Sequence, residues 1–194
     1  MSTYPYNKQT LMQKEQVILV DQEDNEVGTA EKMSSHQEGM LHRAFSIFIV
    51  NNKNEILLQK RAKGKYHCAG LWTNTCCSHP RPGESLLEAA HRRLQEEMGF
   101  DCPLEDAFTF MYRVEFENGL IEHELDHVLI GTHDGPVDPD PQEVSEYRWM
   151  PIEELKQELS SNEQQFTPWL NLCWDQALSH LLTLETEHVH PMNL

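Results

Sequence analysis

The sequence has few basic residues for its length. Lysine and arginine number 15 against 32 aspartates and glutamates, so the formal net charge is −17. Binding to a nucleic-acid backbone or an anionic membrane relies on a basic face, which this composition scarcely supplies. We therefore expect neither partner. The exception is a short basic run, either a solvated turn or a receptor for a small anion, made up of Lys60, Arg61, Lys63 and Lys65.

Long hydrophobic runs are also absent. No segment approaches the roughly 18–20 apolar residues of a membrane-spanning helix, and residues 1–16 lack a basic start followed by an apolar stretch. The five cysteines are odd in number and form no C-x-x-C, which favours reduced thiols over a disulfide scaffold or zinc ribbon. These absences predict a cytoplasmic location.

Internal repeats, low-complexity blocks and linkers are lacking as well. A single core commonly serves about 100–200 residues, so the chain is predicted to be one domain over 1–194. Its ends, about 1–12 and 186–194, are expected to be loosely held.

Apolar periodicity predicts mixed strands and helices, and therefore an α/β sheet covered on both faces. A hairpin turn is expected at Asn51–Asn54. The predicted strands are Gln16–Val20, Ala44–Val50, Glu55–Gln59, Phe108–Glu115, Glu122–Gly131 and Tyr147–Met150, and two of the predicted helices are Ile152–Leu159 and Pro168–Leu182.

A third helix is predicted between Ser85 and Gly99. Ser85 is the expected N-cap, Glu88 completes a capping box, and Gly99 supplies the stop. Its apolar stripe is predicted to comprise Leu87, Ala90, Leu94 and Met98.

From Ser78 to Phe100 the chain resembles the Nudix box, a loop–helix–loop of the form G-x5-E-x7-R-E-U-x-E-E-x-G-U. Seven of its nine fixed positions agree, namely Glu84, Arg92, Leu94, Glu96, Glu97, Gly99 and Phe100. Glutamates at both ends of such a helix can converge on a hard divalent cation that bridges diphosphate oxygens. Without that spacing, the segment would be interpreted as an amphipathic helix with the surface ion pairs Arg92–Glu96 and Arg93–Glu97.

The two departures from the box are Ser78, in place of glycine, and Arg93, in place of a glutamate. In hydrolases of the Nudix superfamily that glutamate helps to bind the metal or activate water. A permanent cation there removes a ligand or base and supplies a donor suited to a phosphate oxygen. Arg93 therefore favours binding a diphosphate without cleaving it.

A second resemblance is more specific. Residues 72–80, Trp-Thr-Asn-Thr-Cys-Cys-Ser-His-Pro, resemble the W-T-N-x-x-C-x-H-P signature of type I isopentenyl diphosphate isomerases. Ser35-His36, Leu41-His42-Arg43-Ala44-Phe45 and Glu122-His123-Glu124 also resemble motifs of that family. The resemblance runs from about Glu15 to Trp169 and implies a Nudix-type α/β/α sandwich with a mixed sheet.

The resemblance also implies a metal centre. Three imidazoles and two carboxylates suit a borderline divalent metal, and here the metal would be Mn²⁺ or Zn²⁺. A Mg²⁺ ion held by Glu97 would accompany the diphosphate. The implied ligands of the first metal are His36, His42, His79, Glu122 and Glu124.

The implied reaction moves a double bond between isopentenyl and dimethylallyl diphosphate. Proton addition and removal would fall to Cys77 and Glu124, with Tyr112 assisting proton delivery and the face of Trp169 stabilising a carbocation-like intermediate. The implied diphosphate clamp comprises Lys32, Arg61, Lys65 and Arg93.

Two other functions stay open at this point. A Nudix hydrolase of a nucleoside or other diphosphate compound would share the fold, but Arg93 counts against it. A non-enzymatic metal- or thiol-sensing module would need no diphosphate clamp. The sequence leaves open the native metal, the oligomeric state, the preferred direction, the role of Cys76 and the effect of Ser78.

Overall fold

The computed structural model describes residues 15–189, in which nine strands and four α-helices are formed. The strands are β1 Gln16–Val20, β2 Glu26–Glu31, β3 His42–Val50, β4 Glu55–Arg61, β5 Trp72–Thr73, β6 Cys76–Ser78, β7 Leu104–Glu115, β8 Ile121–Thr132 and β9 Val144–Pro151. The helices are α1 Lys32–Glu38, α2 Leu86–Met98, α3 Ile152–Ser161 and α4 Pro168–Val189, with a 3-10 turn at Glu163–Gln165. Of the ends expected to be loosely held, 1–12 and 190–194 lie outside the described residues, and 186–189 belong to α4.

Strand β3 organises the sheet. It pairs antiparallel with β1, β4 and β6 and parallel with β8. Strands β2, β5, β7 and β9 extend this arrangement from β1, β4, β8 and β4 respectively. The predicted mixed sheet is therefore confirmed.

Helices cover both faces because the sheet is apolar on both. Ile47 and Leu57 pack with Leu94 of α2 on one face. On the other, Phe48 and Leu58 pack with the apolar sides of α3 and α4. In residues 15–189, no helix combines the length and apolar character needed to cross a membrane.

The predicted strands and helices are present. β1 and α2 have the predicted bounds, and the other elements extend beyond theirs. Four elements were not predicted from the sequence: β2, α1, β5 and β6. The segment Glu-Val-Gly-Thr-Ala-Glu of β2 has little apolar alternation, Lys-Met-Ser-Ser-His-Gln-Glu of α1 has no apolar stripe, and β5 and β6 have only two and three residues. Local periodicity cannot indicate such elements, because partners elsewhere in the chain stabilise them.

Helix α2 begins and ends as predicted. Ser85 and Glu88 form the complete capping box, and Gly99 adopts φ 77° at the C-cap. The prediction for Leu87 was wrong, because its side chain is 44% exposed. The buried residues Ala90, Leu94 and Met98 follow each other at intervals of four, and the same interval leads back to Leu86, which packs against the core.

Candidate active site

Strand register brings distant residues of the sequence together. The parallel pairing of β3 and β8 sets His42 opposite Glu124, and the antiparallel pairing of β7 and β8 sets Tyr112 opposite Glu124. The pairing of β3 with β6 sets Ser46 opposite Cys77. Since opposite residues on paired strands lie about 5 Å apart, the sheet itself assembles the centre of the site.

The five predicted metal ligands form one buried group. Their ligand atoms all lie within 4.8 Å of one another, and the group comprises His36, His42, His79, Glu122 and Glu124. Backbone carbonyls orient two of the rings, because Nδ1 of His36 donates to Lys32 O at 2.6 Å and Nδ1 of His42 donates to Met40 O at 2.8 Å. Each Nε2 then faces a carboxylate, 3.2 Å from Glu122 Oε1 and 3.5 Å from Glu124 Oε1.

This group fits a divalent cation. Nε2 of His36, Nε2 of His42 and Oε2 of Glu122 are buried and make no hydrogen bond with the described residues. Buried polar atoms are normally satisfied, and histidine ligands of metals usually donate their other ring N–H to a backbone carbonyl or carboxylate. The inward-facing nitrogens and oxygens therefore have the arrangement of a metal site.

The acidic groups of the centre differ in pKa. Burial and the charge of Glu124 raise the pKa of Glu122 to about 7. Burial opposes ionisation of Glu124 too, but the neighbouring Glu122 carboxyl group and the rings of His42 and His79 hold the pKa of Glu124 well below its usual range. Glu124 is therefore the ionised carboxylate.

Cys77 lines the same pocket as the metal group. Its thiol donates to Asn74 Oδ1 at 3.0 Å, and its Sγ lies 3.6 Å from Ser46 Oγ. Burial, followed by the negative charge of Asp126, raises the pKa of Cys77 to about 12. The thiol is therefore protonated at neutral pH.

Cys76 faces away from the pocket. Because side chains alternate along a strand, Cys76 enters the core cluster beneath α2, where it is fully buried. Ser78 does not adopt a left-handed backbone conformation, so serine replaces the glycine of the Nudix box without backbone strain.

The two predicted aromatic residues line this pocket. The hydroxyl of Tyr112 donates to Glu124 Oε2 at 2.6 Å. The indole Nε1 of Trp169 donates to Thr73 Oγ1 at 3.0 Å, which fixes the ring at the start of α4. The Arg61 guanidinium lies 5.2 Å from the centre of that ring.

The four predicted clamp cations also line the pocket. Carboxylates of the protein neutralise three of them: Lys32 pairs with Glu15 at 3.1 Å, Lys65 with Glu143, and Arg93 with Glu97. Arg93 also lies 3.4 Å from Glu143. The four cations concentrate basic side chains at one place in an otherwise acidic chain, and such a cluster is suited to binding an anion.

The glutamates of the Nudix box have different partners in the structure. Glu97 lines the pocket and accepts from Gln59 Nε2 at 3.1 Å. Glu84 instead accepts two hydrogen bonds from Arg92, and Glu96 pairs with Arg92 and Arg93 at the surface. These arginines take up the carboxylates that spacing alone would assign to a cation.

Three buried polar residues of the site were not predicted from the sequence: Ser46, His67 and Asp126. Asp126 accepts from Ser46 Oγ at 2.7 Å and follows Glu122 and Glu124 at the two-residue interval of one strand face. That interval could have identified it. Ser46 and His67 carry no such signal, since only tertiary pairing brings them to the pocket.

Comparisons with known proteins agree with this geometry. A sequence model of the NUDIX domain matches residues 40–170. Isopentenyl-diphosphate Delta-isomerase 2 of Aromatoleum aromaticum is 51% identical over 166 residues, covering 86% of this chain and 88% of that protein. The Isopentenyl-diphosphate Delta-isomerase of Pectobacterium atrosepticum is 50% identical over 172 residues, covering 89% and 96%.

A crystal structure of a protein from Deinococcus radiodurans has the same fold. It matches with a TM-score of 0.70 at 17% sequence identity, covering 84% of this chain and 98% of that one.

Proposed function

The chain belongs to the NUDIX family and, within it, to the isopentenyl-diphosphate Delta-isomerases, and we propose that it interconverts isopentenyl and dimethylallyl diphosphate by acid–base chemistry between Glu124 and Cys77. The observation that carries this mechanism is the shared pocket. Cys77 and Glu124 line it together with the four clamp cations.

Proton addition is assigned to the Glu124 side. A proton delivered to the terminal alkene carbon of isopentenyl diphosphate leaves a tertiary cation at the neighbouring carbon. Tyr112 donates to Glu124 Oε2 and is placed to pass a proton along this hydrogen bond. A divalent metal held by the three histidines, Glu122 and Glu124 would fix the Glu124 carboxyl group and stabilise its charge.

Proton removal is assigned to Cys77. Its sulfur takes the proton from the carbon next to the cation, and the C–H electron pair becomes the new double bond. Arg61 favours the required thiolate, whereas burial and Asp126 oppose it. The forward reaction therefore starts with the proton on Glu124 and with Cys77 as the thiolate, and it ends with Glu124 ionised and Cys77 protonated. The reverse reaction starts from that second state, in which the thiol supplies a proton and Glu124 accepts one.

The pocket also offers surfaces that would stabilise the cation and bind the diphosphate. The buried face of Trp169 offers an aromatic surface that stabilises a cation by roughly 1–2 kcal/mol when desolvated. The four clamp cations, Lys32, Arg61, Lys65 and Arg93, would bind the diphosphate, and Mg²⁺ at Glu97 would complete the clamp.

The isomerase is favoured over both alternatives. A hydrolase would need a ligand or base at the position of Arg93, which instead pairs with Glu97 and Glu143. A sensing module would not require the four cations that line the pocket. We further propose a single domain acting in the cytoplasm, in keeping with five free thiols.

The test is turnover in D2O. Isopentenyl diphosphate with Mg²⁺ and either Zn²⁺ or Mn²⁺ should convert to dimethylallyl diphosphate with deuterium incorporation, followed by NMR of the alkene protons. Cys77→Ala should lower the rate about 10²–10⁴-fold, the range of general acid–base catalysis.

Cys76→Ala is the matched control, because it removes the adjacent thiol from the core side of the same strand. It should retain turnover within a few-fold. Unexchanged substrate with the unmodified protein would refute the isomerase. Equal rates in both alanine variants would refute the role of Cys77.

A further inference from the structure

Thr73 is a buried residue whose hydroxyl lies between two groups that the mechanism uses. Its Oγ1 lies 3.0 Å from the indole Nε1 of Trp169 and 2.9 Å from Oδ1 of Asn74. That same Oδ1 accepts from the Cys77 thiol at 3.0 Å. Thr73 and Asn74 are both 0% exposed, so their hydrogen bonds are shielded from bulk water.

The orientation of the Asn74 amide follows from its neighbours. Its Nδ2 lies 3.1 Å from each of two backbone oxygens, those of Ile47 and Cys76. A backbone oxygen can only accept, so the amide nitrogen faces this pair and the amide oxygen faces Thr73 and Cys77. Asn74 Oδ1 is therefore the acceptor for both the hydroxyl and the thiol.

The Thr73 hydroxyl makes all three of the hydrogen bonds that a hydroxyl can make. The indole Nε1 of Trp169 can only donate and Asn74 Oδ1 can only accept, so Thr73 Oγ1 accepts from the first and donates to the second. Thr167 Oγ1 lies 2.8 Å from Thr73 Oγ1. Because the single hydrogen of Thr73 goes to Asn74, Thr167 is the donor of this third bond.

Backbone contacts attach the start of α4 to β5 independently of this hydroxyl. The N–H of Thr167 donates to Trp72 O at 2.9 Å, and Phe166 forms a bridge with Trp72. These contacts hold the helix on the sheet, whereas the Thr73 hydroxyl holds the indole ring of Trp169. Loss of the hydroxyl should therefore release the ring without detaching the helix.

We propose that Thr73 is a positioning residue for the isomerisation, whose hydroxyl fixes the Trp169 indole and, through Asn74, the Cys77 thiol relative to each other. The cation and the carbon that exchanges a proton with Cys77 are neighbouring atoms of one small substrate. A displacement of the aromatic face or the sulfur by about 1 Å would therefore misalign one of them. This inference rests on the proposed function.

The test compares two substitutions of Thr73 in the full chain. Thr73→Val keeps the shape of the side chain and removes the hydroxyl, whereas Thr73→Ser keeps the hydroxyl. Conversion of dimethylallyl diphosphate is followed in D2O, because that direction starts from the Cys77 thiol. Thr73→Val should lower kcat about 10–100-fold, the cost of a misplacement of about 1 Å, with KM nearly unchanged because the clamp cations are untouched. Thr73→Ser should recover most of kcat.

Thr75→Val is the matched control. Thr75 is equally buried in the same segment, but its hydroxyl contacts backbone atoms, donating to Leu57 O at 2.7 Å and accepting from Ile49 N at 3.0 Å. Its replacement should lower Tm but leave kcat of the folded protein within a few-fold. An unchanged kcat in Thr73→Val would overturn the proposal, as would equally low kcat values in the Val and Ser variants of Thr73.

The indole N–H of Trp169 gives a second readout that needs no turnover. Its proton NMR signal is identified by its loss in Trp169→Phe. The signal should shift and exchange faster with solvent in Thr73→Val, and Thr73→Ser should restore it. An unmoved signal in Thr73→Val would show that the hydroxyl does not hold the ring and would overturn the proposal. Absence of turnover by the unmodified chain would instead refute the proposed function, and the positioning role with it.

Discussion

Arg93, in the last turns of α2, contacts Glu96 at the surface and two further carboxylates, Glu97 and Glu143. Both lie beside the pocket in which we propose that the diphosphate binds. An arginine presents a planar fork of donors that matches phosphate oxygens. Substrate binding would thus exchange protein carboxylates for diphosphate oxygens around the same guanidinium.

Replacing Arg93 should therefore weaken substrate binding more than catalysis. Arg93→Gln is expected to lower kcat/KM about 10–100-fold, mainly through KM, since a hydrogen bond to a charged group contributes about 1.5–3 kcal/mol. Steady-state kinetics with isopentenyl diphosphate measure this. Arg113→Gln removes an arginine paired with Glu115 at the surface and should change neither constant. An unchanged KM in the Arg93 variant would contradict the clamp.

Individual site residues could be predicted from the sequence only where a motif surrounded them. The signature around Cys77 and the pair Glu122 and Glu124 predicted residues that the structure brings into one pocket. His67 was missed because its surroundings carry no spacing rule, and its position depends on Phe116 and Trp169, which are distant in the sequence. Spacing also does not show that Glu84, a position of the Nudix box, accepts two hydrogen bonds from Arg92.

Among the elements, α2 connects the core to the pocket, and its C-terminus is tightly constrained. Gly99 has φ 77°, and a Cβ there would lie 2.2 Å from Asp138 O. Gly119, in the turn between β7 and β8, has φ 82° with nothing within 4 Å of such a Cβ. A comparison of alanine substitutions at the two glycines therefore distinguishes the cost of backbone strain from the cost of steric overlap.

Alanine substitutions at the two glycines should have different costs. Gly119→Ala should destabilise by about 1–2 kcal/mol, the cost of a left-handed conformation. Gly99→Ala adds overpacking of about 1–3 kcal/mol and should reach about 2–5 kcal/mol. Urea unfolding compares them, with the unaltered chain as reference. Equal midpoints for the two variants would mean that the Asp138 backbone moves aside without cost.

Local patterns predicted the long elements but not their pairing. Capping at Ser85 and Gly99 is a short-range interaction and is readable from the sequence. The parallel register of β3 with β8, which sets His42 opposite Glu124, depends on a connection of 70 residues, from 51 to 120. Only the packing of the whole sheet determines such a register, so the centre of the site could be predicted by resemblance alone.

For the whole molecule, the metal centre concentrates negative charge inside an acidic chain. The formal net charge is −17, and Glu122, Glu124 and Asp126 are all buried along one face of β8. Burial and the charge of Glu124 raise the pKa of Asp126 well above its usual range. A bound divalent cation would offset this repulsion. It would bind the folded chain, in which the five ligands lie together, and not the unfolded chain, in which they are apart.

Metal removal should therefore lower the thermal stability of the whole chain. Binding to the folded state stabilises by RT ln(1 + [L]/Kd), or about 2.7 kcal/mol at a free concentration of 100 Kd. For a chain of this size, each kcal/mol shifts Tm by about 2–4 °C, so calorimetry of the chelator-treated and Zn²⁺-loaded protein should differ by about 5–11 °C. Glu122→Gln should lose most of this difference because it removes a charged ligand, whereas Glu117→Gln, at an exposed position, should retain it. Identical Tm values at saturating Zn²⁺ would mean that the ion binds the unfolded chain equally well or does not bind at this site.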